Sequence, residues 1–74
     1  MSKADTSIGF YRDKVKMSQQ QLADSINVHR TTMSFIERKR EYPNIETAEK
    51  IAELLDVPIG KLYTQDELEV MKTK

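Results

Sequence analysis

The sequence predicts an all-α domain, a compact arrangement of five helices followed by a short C-terminal helix. Three observations carry that expectation. Apolar residues recur at three- and four-residue spacing along most of the 74-residue chain, and no stretch sustains the period-two alternation of β-branched residues that marks a strand. The two prolines and two glycines stand at or beyond the expected helix ends, Gly9 excepted, so the interior stretches hold no strong breaker. Two capping boxes, Ser18 with Gln21 and Thr64 with Glu67, each mark a helix start.

The elements follow in order. A first helix over about 7–15 puts Ile8, Tyr11 and Val15 on one face, with Ser7 or Thr6 as its cap and Gly9 weakening its first turn. The second runs from Ser18 to about Ser25 and turns Leu22, Ala23 and Ile26 inward. Only Ile26-Asn27-Val28 separates it from the next helix signal. Asn27 suits that turn, because its short amide tolerates the left-handed conformation that ends one helix and redirects the chain. The third helix, about 30–38, buries Met33 and Ile36 and leaves Arg30, Thr31, Ser34 and Phe35 on other faces. A basic turn, Arg38 to Pro43, leads to Asn44, the cap of a fourth helix. There Ile45, Ala48, Ile51, Ala52 and Leu55 form an apolar stripe that Val57-Pro58 stops. A short fifth helix over about 58–63 offers Ile59, Leu62 and Tyr63, and a polar last helix, about 65–72, offers Leu68 and Met71. The chain divides into a flexible N-terminus (1–6), a domain (7–64) and a C-terminal helix with its tail (65–74).

Composition narrows the function. A chain this short removes about 60% of its unfolded surface from water on folding, which allows one modest core and no interdomain cleft. Without cysteine there is neither a disulfide nor thiolate chemistry. A single histidine does not supply the usual four ligands of a structural zinc. No metal, cofactor or small-molecule ligand is expected. No nucleophile–base pair at a useful spacing is present, so the chain is not expected to be an enzyme. No apolar run approaches the roughly 20 residues of a membrane span, and the opening MSKADTS lacks the apolar core of a signal peptide. A cytoplasmic protein away from membranes is the expectation.

Twelve bases balance twelve acids, yet the balance hides an asymmetry. Residues 1–40 hold eight bases and four acids, and residues 41–74 hold four bases and eight acids. Halves of opposite sign are a clue to a charged partner such as nucleic acid.

The second and third helices, joined by a three-residue turn, form a helix-turn-helix candidate. Ala23 lies where the two cross closely, and Leu22, Ile26, Val28, Met33 and Ile36 form the wedge that sets their angle. The segments MSQQQLADSINVHRTTMSFIERKREYP and NIETAEKIAELLDVPIGKLY carry Ser-Gln-x-x-Leu-Ala, then Ile-Glu-Arg, then a proline four residues beyond Lys39. With these motifs the chain resembles the Cro/cI-type, lambda-repressor-like helix-turn-helix domain (the Xre family) from Ile8 to Tyr63, about three quarters of its length. It departs from the family pattern where glycine is usual: at Asn27, at Lys39, at Lys16-Met17 before Ser18, and at Asp56. Each departure adds a side chain where the backbone often needs positive φ, a strain of about 1 kcal/mol.

The resemblance implies that the helix at about 30–38 lies in the DNA major groove. His29, Arg30, Thr31, Ser34 and Phe35 would then be the base-contacting positions. Arg30 leads, since a guanidinium can bond guanine O6 and N7 together. Phe35 has two readings, contact with thymine methyls or partial burial against Tyr42. His29 stands where a Ser or Thr cap is usual, and is expected to substitute for the cap with partial base contact. Ser18, Gln19, Arg12, Arg38, Lys39 and Arg40 are the expected phosphate contacts, although Lys39 alone also fits a solvated turn. Glu37 is expected to hold Arg12, a pair that bridges the first and third helices. Ala23 and Asn27 are structural.

One module covers one half-site, so the resemblance implies a homodimer on a palindrome, its recognition helices about 34 Å apart. Ile59, Leu62, Tyr63, Leu68 and Met71 are the expected dimer surface, unless the last helix folds back onto its own domain. The implied function is a sequence-specific regulator of double-stranded DNA, most simply a repressor. The alternative is a protein-interaction module, such as an antitoxin or anti-repressor partner, docking a basic regulatory protein on its acidic half.

Overall fold

In a computed structural model that describes residues 7–73, the order is α1 (Ser7–Lys14), α2 (Gln19–Ser25), α3 (Arg30–Glu37), α4 (Ile45–Leu55), a 3-10 turn (Ile59–Lys61) and α5 (Gln65–Lys72). No strand occurs among the described residues. The fold is therefore all-α, as expected. The expected flexible segment 1–6 and the candidate cap Thr6 lie outside the described residues, and Ser7 is already helical.

Both capping boxes form in full. Ser18 Oγ accepts from the Gln21 amide at 3.0 Å while the Gln21 side chain accepts from the Ser18 amide at 2.7 Å. Thr64 and Glu67 do the same at 3.1 and 2.8 Å. Asn44 caps α4 through a 2.8 Å bond from the Thr47 amide. His29 occupies the N-cap of α3 with an extended backbone but makes no side-chain cap bond, so it does not substitute for a Ser or Thr. An imidazole on a short stem does not reproduce the hydroxyl's reach to the second or third amide.

The helix ends share one device. Lys16, Asn27, Lys39 and Asp56 all sit at φ between 60° and 62°, and no described glycine has positive φ. In each case the amide of the residue that follows bonds back five residues: Met17 to Arg12, Val28 to Ala23, Arg40 to Phe35 and Val57 to Ala52, at 2.9 to 3.1 Å. A second bond from each left-handed residue's own amide completes the Schellman motif. Two boundaries shift as a result. Helix α4 ends at Leu55 under the Asp56 cap, ahead of Val57-Pro58. The left-handed Lys16 carries Met17 onto the core and leaves Val15, expected inward, exposed. The expected fifth helix shortens to a 3-10 turn, in which Lys61 and Leu62 donate to Pro58 and Ile59 at 2.9 Å.

Ile8, Leu22, Ala23, Met33, Ile36, Ala48, Ile51, Ala52, Leu55, Leu62, Tyr63 and Met71 make one buried core to which every element but the 3-10 turn itself contributes. Helices α2 and α3 pack most extensively on each other. Ala23 is fully buried at their crossing, where a longer side chain would force them apart.

Candidate nucleic-acid interface

Helix α3 presents its polar face because Met33 and Ile36 tie its other side to the core. His29, Arg30 and Thr31 are exposed at its start, Ser34 is half-buried, and Phe35 is 38% exposed. The Arg38 guanidinium lies over the Phe35 ring at 5.2 Å from its centre, and Arg38 Nε donates to the Ser34 carbonyl at 3.4 Å. Of the two sequence readings of Phe35, the ring is therefore more than a third open, with an arginine stacked on it. The α3 face carries no accessible carboxylate: its one acid, Glu37, is 7% exposed.

Glu37 is neutralised by its surroundings. Arg12 on α1 donates through Nε to Oε2 at 2.7 Å and through Nη2 to Oε1 at 3.4 Å. Gln19 on α2 donates its amide to Oε1 at 3.1 Å. Arg12 also donates to the Met17 carbonyl at 3.0 Å. The cluster joins the first three helices at one carboxylate, and it extends the expected pair by one residue. Arg12 and Gln19, both expected at phosphates, thus direct these donors into the fold, and Ser18 uses its hydroxyl in the capping box.

Of the basic turn, Arg38 and Arg40 are exposed, but Lys39 is not a free cation. Its ammonium donates to the Leu62 carbonyl at 2.9 Å and to Glu67 at 3.2 Å, and lies 4.6 Å from the centre of the Tyr63 ring. The expectation of a phosphate contact at Lys39 is corrected: the left-handed backbone there turns the side chain toward α5, where a carboxylate and a carbonyl outcompete solvent.

Glu67 was legible in the sequence only as a capping residue, and its long-range partners were missed. Besides Lys39 and its own capping box, it accepts from the Tyr42 hydroxyl at 2.8 Å. Burial works to raise its carboxyl, but the bonds from Thr64, Tyr42 and Lys39 and the lysine charge outweigh that and hold it below its ordinary value. Tyr42 is raised in turn, by that hydrogen bond first and then by burial and the Glu67 charge. The capping-box spacing was the signal for Glu67, but its partners lie 25 and 28 residues away and nothing local announces them.

The expected dimer surface is also corrected in part. Leu62, Tyr63 and Met71 are 2%, 3% and 1% exposed and fill this chain's own core, so α5 folds back onto its own domain. A core this small has no other apolar layer to cover that side. Ile59 and Leu68 stay half-buried, and Val70 is exposed. The acids of α4, Glu46, Glu49 and Glu53, line an open groove with Lys50, Val57 and Ile59. No described helix is long and apolar enough to cross a membrane.

Residues 8–62 match the family model described as helix-turn-helix. A protein of Archaeoglobus fulgidus named as an uncharacterized HTH-type transcriptional regulator is 32% identical over 69 residues, which cover 93% of this chain and 97% of that protein. A second protein of the same description and organism is 34% identical over 65 residues, 88% of this chain and 93% of its own. No solved structure matches the chain significantly.

Proposed function

The chain belongs to the helix-turn-helix family, and from that premise we propose that it is a cytoplasmic transcriptional repressor that binds a palindromic operator as a homodimer. Helix α3 enters the major groove. Arg30 reads a guanine, Thr31 and Ser34 hydrogen-bond neighbouring bases, Phe35 covers a thymine methyl, and His29 borders the site. Arg38 and Arg40 hold phosphates on either side of the turn. The observation that carries this reading is the α3 face itself: open Arg30, Thr31 and Phe35 beside Arg38, with the helix's one carboxylate buried under Arg12.

Selection from random duplexes supplies the target, and two substitutions then separate the roles. Arg30→Ala is expected to lose discrimination between the selected and random duplexes, a change of about 1–3 kcal/mol at one base position. Arg38→Ala is expected to weaken both duplexes alike and to lower the salt slope by about 1. Equal affinity of the unaltered chain for every duplex would defeat the reading.

For a dimer through the C-terminal part, the accessible apolar residues there are Ile59, Leu68 and Val70, a smaller surface than the sequence suggested, while Phe10 and Val15 of the first helix and its turn are exposed as well. A second reading has its own observation: the α4 groove, with Glu46, Glu49 and Glu53 against the single Lys50, is net acidic and suits a basic protein partner of the anti-repressor or antitoxin kind. It is compatible with DNA binding on the opposite charge half.

A further inference from the structure

The segment after α3 is held from the far end of the chain. Lys39 and Tyr42, three residues apart, both reach Glu67 on α5, at 3.2 and 2.8 Å. Between them lies Arg40, exposed, and just before them Arg38, exposed and stacked on Phe35. Lys39 adopts φ 62°, a left-handed backbone that strains a non-glycine residue. Its bonds to Leu62 and Glu67 offset that strain and fix the turn at its apex.

We propose that Glu67 and Tyr42 are positioning residues for DNA binding, acting through the Lys39 turn to hold Arg38 and Arg40 ready for the phosphate backbone. The inference rests on the DNA-binding reading above and assigns α5 a role in it. A short exposed turn freed at Lys39 and Tyr42 would sample many conformations, and its arginines would have to be ordered on binding. Holding it in place beforehand removes that cost. Phosphates are the same in every sequence, so the contribution is to affinity and not to base choice.

Charge alone argues the other way. Removing the Glu67 carboxylate makes the chain more basic and on electrostatic grounds strengthens its hold on DNA. The sign of the effect therefore decides the matter, and Tyr42→Phe supplies a variant that changes no charge and keeps the ring. Affinity of the full-length chain is measured at low salt for the selected duplex and for a mixed-sequence duplex of equal length. Circular dichroism at the assay temperature checks that each variant is folded.

Tyr42→Phe and Glu67→Gln are each expected to weaken both duplexes by about 3- to 10-fold in equal proportion. In an Arg38→Ala, Arg40→Ala background the same substitutions are expected to change affinity less than about twofold, because the groups they position are gone. Unchanged or tighter binding by Tyr42→Phe overturns the proposal. So does an undiminished loss in the double-alanine background, which would mark a general effect on folding, and so does an altered base preference. If the unaltered chain binds no duplex, the DNA-binding reading itself has failed and this inference falls with it.

Discussion

Four residues at φ near 60°, Lys16, Asn27, Lys39 and Asp56, end the first four helices, and all four are non-glycine. Each left-handed backbone costs about 1 kcal/mol relative to an unstrained one, less for Asn, whose amide bonds locally. Two of them predict opposite outcomes for one substitution. Lys16→Gly relieves strain at an exposed site and is expected to stabilise the domain by about 0.5–1 kcal/mol in urea unfolding. Lys39→Gly relieves the same strain but removes the bonds to Leu62 and Glu67, so no net gain is expected. Tyr63 makes a further prediction. Its hydroxyl is buried without a hydrogen-bond partner among the described residues, and burial pushes its pKa well up. Tyr63→Phe removes a desolvated group and loses no bond, so stability is expected to hold or to rise by up to about 1 kcal/mol. Glycine-like backbone at these four positions was legible from the family pattern. The orphaned hydroxyl was not, because burial belongs to the packed chain.

At the scale of elements, two carboxylates connect helices that are distant in sequence. Glu37 joins α1, α2 and α3 through Arg12 and Gln19. Removing one partner of such a buried pair costs about 3–5 kcal/mol, a large share of the roughly 4–11 kcal/mol total expected of a domain this size. Glu37→Ala is therefore expected to lower the urea midpoint sharply. Arg12→Met with Glu37→Met is expected to recover most of the loss, since two apolar groups leave no charge unpaired. Glu67 joins α5 to the turn after α3, and its lowered pKa makes that joint sensitive to acid. A depressed carboxyl contributes stability that is complete above its ordinary value, about pH 4.5, and is lost as pH falls through its folded value. Glu67→Gln is accordingly expected to be less stable at neutral pH and to lose less on acidification, as read by midpoints across that range. The helices and caps were legible, since periodicity and capping boxes are local. These cross-links were legible only for Arg12 and Glu37, where the family pattern supplied the pair.

For the whole molecule, zero net charge divides into a basic half with the α3 face and an acidic half with α4 and α5. Phosphates thus meet attraction on one side and repulsion elsewhere, and weak binding to arbitrary DNA is expected, with base contacts and self-association making up the affinity. The proposed self-association through the C-terminal part has little apolar surface there, because α5 buries Met71 in its own domain. Ile59→Gln is expected to shift sedimentation toward monomer without loss of helix content, and an unchanged dimer would place the interface elsewhere. The sequence by itself determined an all-α chain, its helix starts, its left-handed turns and the residues on the α3 face. Each of these follows from neighbours a few positions apart or from a family pattern. Only the tertiary structure decided that Lys39 turns inward, that Glu67 holds the basic turn, and that Leu62, Tyr63 and Met71 serve the core and not a partner. A side chain's partner depends on which surfaces packing has already covered, and in so small a core one more helix changes which surfaces remain.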